Sequence, residues 1–246
     1  MHLSPALAPV LALLSNYILA KIQGVAPVKI GLFQLQYIET HKTMTPNLSP
    51  SYDNKITRKY SSKTLEHKLD NKTALQAELS WPEEKRIPMI AVPSGVDEKT
   101  GGKLLLNLLP GLQAVGIELV ILGRGGREFG EKMSQLAHEK GHRVAILKDD
   151  DVDQRKLYAA ADIALFCFDA GNTEELQNCL RYGVVPIAPD TKALENYNPV
   201  QERGTAFLYD KMNEWHVFAA LVRALETYKF PYDWRTIQRQ CMESAE

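Results

Sequence analysis

Four turns, each directly behind a short apolar run, are where this sequence could handle an anion. They are Ser94-Gly95 after MIAVP, Gly123-Arg124-Gly125-Gly126 after ELVIL, Asp169 to Thr173 after IALF, and Pro189-Asp190-Thr191 after VVPIA. Glycine lets backbone N–H groups approach a phosphate, and a helix starting at such a turn adds the positive end of its dipole. Gly123, Arg124 and Gly125 are the leading candidates for that contact, with Arg127 the other cation on the same rim. A strand-to-helix turn uses glycines anyway, so a purely structural role stays open beside the phosphate-binding one. Lys99-Thr100-Gly101-Gly102-Lys103 lacks the Gly-x-x-x-x-Gly-Lys-Ser/Thr spacing of a P-loop and reads as a capping loop before a helix. In the third turn, Asn172 followed by Glu175 forms a capping pair. Glu174 and Glu175 then place two carboxylates where a helix N-terminus would otherwise attract an anion.

Other chemistry is thinly represented. The six histidines show no metal-ligand spacing; His138 and His142 are four apart, but Gly141 ends the helix between them. Cys167, Cys179 and Cys241 are widely spaced and fall in apolar or helical segments, as buried small hydrophobes in a reducing compartment would. Neither a metal nor a cofactor is expected. Order alone supports no Ser-His-Asp arrangement. Trp215, Phe218, Tyr228, Phe230, Tyr232 and Trp234 fit a sugar-stacking platform or, more commonly for such spacing, a core.

The elements that must hold these turns alternate regularly from residue 71 onward. Helices are expected over 71–79, 103–115, 128–140, 153–161, 174–182 and 214–228, with a last one starting near Trp234. Short continuous apolar strands are expected over 89–93, 118–122, 143–147, 163–168, 184–188 and 204–209. Unbroken apolar strands between helices mean a parallel sheet covered on both faces, and right-handed crossovers make it a doubly wound, Rossmann-like α/β layer. Ligands of such sheets sit beyond the carboxyl ends of the strands, which puts all four turns on one rim.

Residues 1–70 differ in texture and read as a separate N-terminal extension to a domain over 71–246. The extension holds an apolar helix beginning near Pro9, a short strand over 28–37, and a polar, proline-containing connection over 39–70. The apolar start has no Lys or Arg before Lys21 and is broken by Pro5 and Pro9. A helix seeking a packing partner or a second copy is therefore preferred to a signal or a membrane span. A net charge of −1 gives no electrostatic case for nucleic acid or a membrane surface, and cytoplasm is the default location.

The series NKTALQAEL, GIELVILGRG, LYAAADIALF, LRYGVVPIAP, RGTAFLY and RALETYKFPYDW, in this order and spacing, resembles the C-terminal half of bacterial glycogen synthases and plant starch synthases. The likeness runs from Pro46 to the end of the sequence. It implies one half of a GT-B glycosyltransferase, a fold that moves glucose from ADP-glucose onto an α-1,4-glucan. It also implies residual nucleotide contacts at Gly123, Arg124, Gly125, Tyr158, Thr173 and Thr191.

The working residues implied by the resemblance are not in place. Gly95 stands where the family carries a diphosphate-binding arginine, and Thr100 where it carries a lysine for the same anion. Ala170 stands at the glutamate that handles the transferred sugar. Gly171, Asn172 and Thr173 replace a Pro-Cys-Gly-like turn; Thr191, Lys192 and Ala193 replace Thr-Gly-Gly. A metal-independent transferase must stabilise a leaving diphosphate with cations and a helix terminus, so no catalytic residue is assigned. The few residues ahead of the likeness, and an end at CMESAE, lead us to expect no acceptor-binding N-terminal domain. Three functions are compatible: a non-catalytic binding or regulatory module in glucan metabolism, a glucosyltransferase subunit acting with a separate N-terminal half, or a decayed gene product. The expected partners are ADP or ADP-glucose bound weakly, a glucan, another synthase polypeptide, or a second copy through the N-terminal helix.

Overall fold

A computed structural model describes residues 48–141, 143–171 and 173–245. The apolar helix and short strand expected near the N-terminus, and Asn172 and His142, lie outside the described residues. From Leu48 the chain forms one compact unit.

Six strands form a single parallel sheet: β1 (Met89–Val92), β2 (Glu118–Leu122), β3 (Val144–Leu147), β4 (Ile163–Leu165), β5 (Val185–Pro189) and β6 (Phe207–Tyr209). Their order is β3-β2-β1-β4-β5-β6, the doubly wound arrangement expected from the alternation of strands and helices. β1, β2 and β4 are buried at every position, as a sheet covered on both faces requires. Seven helices accompany the described strands: α1 (Lys68–Glu78), α2 (Gly102–Ala114), α3 (Arg127–Glu139), α4 (Asp151–Ala160), α5 (Glu174–Arg181), α6 (Glu214–Tyr228) and α7 (Pro231–Ser244). α1 starts three residues before the expected position. α7 starts at Pro231 rather than near Trp234, because a proline suits the first helical turn, where its missing N–H has no partner to lose.

Buried polar pairs lock the amino ends of the strands. Lys72 on α1 meets the Asp162 carboxylate at 2.6 Å, and that carboxylate also accepts the Met89 backbone N–H at 2.9 Å. One ion pair thus ties α1 to the starts of β1 and β4. Beside it, Gln76 donates to both oxygens of Glu118 at 2.8 and 2.9 Å. The segment over 48–64 is irregular, as expected, but it is pinned to the domain. Ile56 and Tyr60 are buried, the Tyr60 hydroxyl donates to the Tyr182 carbonyl at 2.8 Å, and the Tyr182 hydroxyl donates to Asp53. All three cysteines are buried, and burial pushes the Cys167 thiol up to about 12.

Candidate functional site

The four turns do share the carboxyl rim of the sheet, and two of them are joined. After β1, Gly95 takes φ +68°, a left-handed backbone that favours glycine. A Cβ at that position would collide with the Arg124 carbonyl. The approach lets the two turns pair as a short parallel bridge. The Val96 N–H donates to the Arg124 carbonyl at 2.8 Å, and the Gly126 N–H donates to the Val96 carbonyl at 3.2 Å. Gly123 and Arg124 also spend their N–H groups on the Leu147 and Leu122 carbonyls, both at 2.7 Å. Of the four N–H groups in this turn, only that of Gly125 has no protein partner among the described residues. A hollow of about 260 Å³ lies beside the turn, lined by Gly123 to Arg127 with Met133 and Ile146. Ser94, next to Gly95, is buried with an unpartnered hydroxyl.

Thr100 is spent on the turn ahead of α2. Its hydroxyl accepts the Asp97 N–H, and Asp97 accepts the Thr100 N–H in return, both at 2.8 Å. That backbone hydrogen bond holds the Asp97 carboxyl below its usual range. The nearby Lys103 pairs with Glu98 at 3.2 Å on an exposed surface, and α2 begins after Gly101 with no side-chain cap.

Arg124 is the centre of the rim's electrostatics. Its Nε and one terminal nitrogen make a two-point contact with Asp149, at 2.9 and 2.7 Å, and its other terminal nitrogen meets Glu175 at 2.6 Å. Asp149 follows β3, and Glu175 lies in the first turn of α5. The guanidinium therefore bridges two separate loops and is outnumbered by carboxylates. Its hydrogen bonds to Asp149 raise its own pKa and lower that of Asp149. Arg127, by contrast, extends into solvent and pairs with Glu131 at 2.9 Å.

One donor at the start of α5 is satisfied by Thr173, the cap: its hydroxyl accepts the Leu176 N–H at 3.3 Å and donates to the Ala170 carbonyl at 2.9 Å. The expected Asn172–Glu175 pair lies outside the described residues, and the Glu175 carboxylate is held by Arg124. Ala170 is 1% exposed and brings only a methyl group. Thr191 reaches the same place from β5, with its hydroxyl 2.6 Å from where a Cβ on Gly171 would stand.

Of the six residues expected to retain nucleotide contacts, Gly123, Arg124, Gly125, Thr173 and Thr191 lie along the rim. Tyr158 does not open onto it. On α4 it is 2% exposed, its ring centre 5.8 Å from that of Tyr182, because the apolar LYAAA segment turns that face of the helix into the core. The aromatic group proposed as a sugar platform is also split. Trp215 stands exposed at the start of α6, Phe230 and Tyr232 are exposed beyond its end, and Trp234 is buried between Phe207 and Tyr228. Fifteen helical residues separate the two ends, about 20 Å of rise, so no single sugar could touch both. The contacts of Arg124 with Asp149 and Glu175 were not foreseen. The acidic run Asp149-Asp150-Asp151 shortly after an apolar strand marked only that carboxylates lie near the rim.

Comparison with known proteins shows what the chain is similar to. No protein-family model matches the chain. Its homologues over four-fifths of its length are glycogen synthases: that of Clostridium perfringens is 33% identical over 203 residues, covering 80% of this chain and 42% of the relative. Glycogen synthase 1 of Synechocystis is 28% identical over 204 residues, 80% of this chain and 43% of that one. The chain thus spans less than half the length of these curated relatives. Among solved structures, the catalytic domain of starch synthase IV from Arabidopsis thaliana, bound to ADP and acarbose, aligns with a TM-score of 0.67 at 20% identity. That alignment covers 79% of this chain and 42% of that one. The isolated C-terminal domain of a group 1 glycosyltransferase from Francisella tularensis aligns with a TM-score of 0.53 at 12% identity, over 71% of this chain and 91% of its own. The described unit is a glycogen synthase-like domain with the GT-B half fold. Among the described residues no helix is long and apolar enough to cross a membrane.

Proposed function

We propose that this domain does not transfer glucose and instead serves glucan metabolism as a binding or regulatory module. The observation that carries this reading is Arg124, a guanidinium on the rim held at 2.6–2.9 Å by Asp149 and Glu175. A departing nucleoside diphosphate gains negative charge and needs unspent cations or N–H donors. This rim offers a neutralised arginine, a capped helix end, and carboxylates in the positions nearest to it. Gly95, Thr100 and Ala170 add no charge at the positions where the family resemblance implies Arg, Lys and Glu. What is left among the described residues includes the Gly125, Glu174 and Glu175 N–H groups, the Ser94 hydroxyl, the Thr191 hydroxyl and the exposed Lys192 ammonium, enough for a loose contact with a nucleotide or a sugar.

The test is transfer of labelled glucose from ADP-glucose to glycogen, by the chain alone and mixed with the N-terminal half of a glycogen synthase. No transfer is expected in either case. Activity of the chain alone would end the non-catalytic reading, and activity only in the mixture would make it a complementing subunit.

A further inference from the structure

A second cavity lies at the opposite end of the sheet from the rim, beneath the starts of β1 and β4. Its volume is about 740 Å³, within the range of small-molecule sites. Three segments converge on it: α1, the 85–86 turn leading into β1, and the junction of α6 with α7. The wall is apolar and aromatic, with Leu65, Leu69, Tyr228 and Trp234. The indole N–H of Trp234 is buried without a hydrogen-bond partner among the described residues.

Charge makes the cavity unusual. Six cations line it (Lys68, Lys72, Lys85, Arg86, Lys229 and Arg235) against two carboxylates, Glu66 and Asp162, in a chain whose net charge is −1. Asp162 is already consumed by Lys72 at 2.6 Å, and Lys229 is paired with Glu226 at 2.6 Å. Lys85, Arg86 and Arg235 are exposed and have no ion-pair partner among the described residues. Deeper in, Lys68 is buried and gives its protons only to neutral oxygens: the Tyr158 and Ala159 carbonyls and the Tyr60 hydroxyl. Cations gathered around a half-open apolar wall repel one another unless an anion joins them, and low-dielectric walls strengthen their pull on one.

We infer that this cavity binds a compact phosphate ester, with its planar or apolar part against Trp234 and Leu69 and its phosphoryl group among Arg86, Lys85 and Arg235. The site is separate from the rim, so its occupancy does not depend on whether the rim handles nucleotides. A folded domain with a charged effector pocket at the foot of its sheet has the means to respond to a phosphorylated metabolite.

The test titrates the purified chain with AMP, glucose 1-phosphate and inorganic phosphate, by calorimetry and tryptophan fluorescence. AMP is expected to bind with Kd below about 1 mM, and inorganic phosphate about tenfold more weakly, since it lacks the apolar part. R86E/R235E, two exposed positions, should weaken AMP binding at least about tenfold, whereas the matched reversal K132E/K140E changes it less than about twofold. Trp234→Phe should remove the fluorescence change. An AMP affinity indifferent to R86E/R235E overturns the assignment, as does the absence of saturable binding by AMP and glucose 1-phosphate up to about 5 mM.

Discussion

Removing the two carboxylates that hold Arg124 should open the rim to ADP. With one guanidinium and two carboxylates, the cluster carries a net charge of −1. The double substitution D149N/E175Q keeps the side-chain shapes and turns that charge to +1. The three side chains are 37%, 34% and 23% exposed, so water screens them and an effective dielectric of about 60 is appropriate. A phosphoryl oxygen about 6 Å away then gains about 0.9 kcal/mol per unit charge, so two units give about 2 kcal/mol, or about twentyfold in Kd. E175Q alone should give about fivefold by the same relation. The assay is calorimetric titration with ADP at low ionic strength, with the native chain binding more weakly than about 100 μM. The gain should shrink as salt rises, because the screening length falls from about 30 Å at 0.01 M to about 8 Å at 0.15 M. A folded double variant that binds ADP no better than the native chain refutes the reasoning. So does native binding tighter than about 100 μM.

Three further outcomes follow from buried groups and backbone. Burial pushes the Glu118 carboxyl from 4.5 up to about 7, against the opposing pull of Gln76. The folded state therefore holds that proton more tightly than the unfolded chain. Its contribution is fully present below pH 4.5 and is lost as pH rises through about 7, for a total of about 3 kcal/mol. Urea unfolding of E118Q should show a flatter stability profile between about pH 5 and 8 than the native chain, and equal slopes would count against it. Lys68 acts in reverse over a higher range. Burial lowers it from 10.5 to about 7, so its cost is present below about 7 and fades as pH climbs toward 10.5. Gly95→Arg, which writes in the residue the family resemblance implies, should lower stability by at least about 2 kcal/mol, from a left-handed φ and the collision with the Arg124 carbonyl. It should bring no gain in ADP affinity, and a G95R chain as stable as the native one in urea would show that the turn can relax.

Most of the architecture was legible because strand and helix periodicities leave direct marks. MIAVP, ELVIL and IALF are unbroken apolar runs of the length a covered strand needs, and glycines close the helices between them. The rim turns were legible for the same reason, since each follows such a run. What escaped was where side chains go once the turns are formed. Tyr158 in LYAAAD was expected to be a rim contact, yet helix phase turns it into the core. Thr173 caps α5 because its hydroxyl can serve the Leu176 N–H and the Ala170 carbonyl together. The Arg124–Asp149 contact joins residues 25 apart, and nothing in local spacing encodes a partner at that separation.

Loss of charge at the rim and closure of the rim are one physical event. With no side chain at 95, the turn after β1 comes close enough to the glycine turn after β2 for Val96 to bond Arg124 and Gly126. Those bonds use N–H groups that a phosphate would otherwise want, and they set the Arg124 backbone so that its side chain spans from Asp149 to Glu175. The carboxylates in turn occupy the only guanidinium that faces both loops. Each change makes the next one tolerable: an unfilled anion site lined by an arginine alone would carry an unpaired cation, and Asp149 with Glu175 alone would repel each other. Together they form a neutral-to-acidic seam that is stable without ligand. Most of its backbone donors, the Leu176 N–H at the helix end and its guanidinium are bonded inside the protein, so on the proposed reading a diphosphate would have to displace all three.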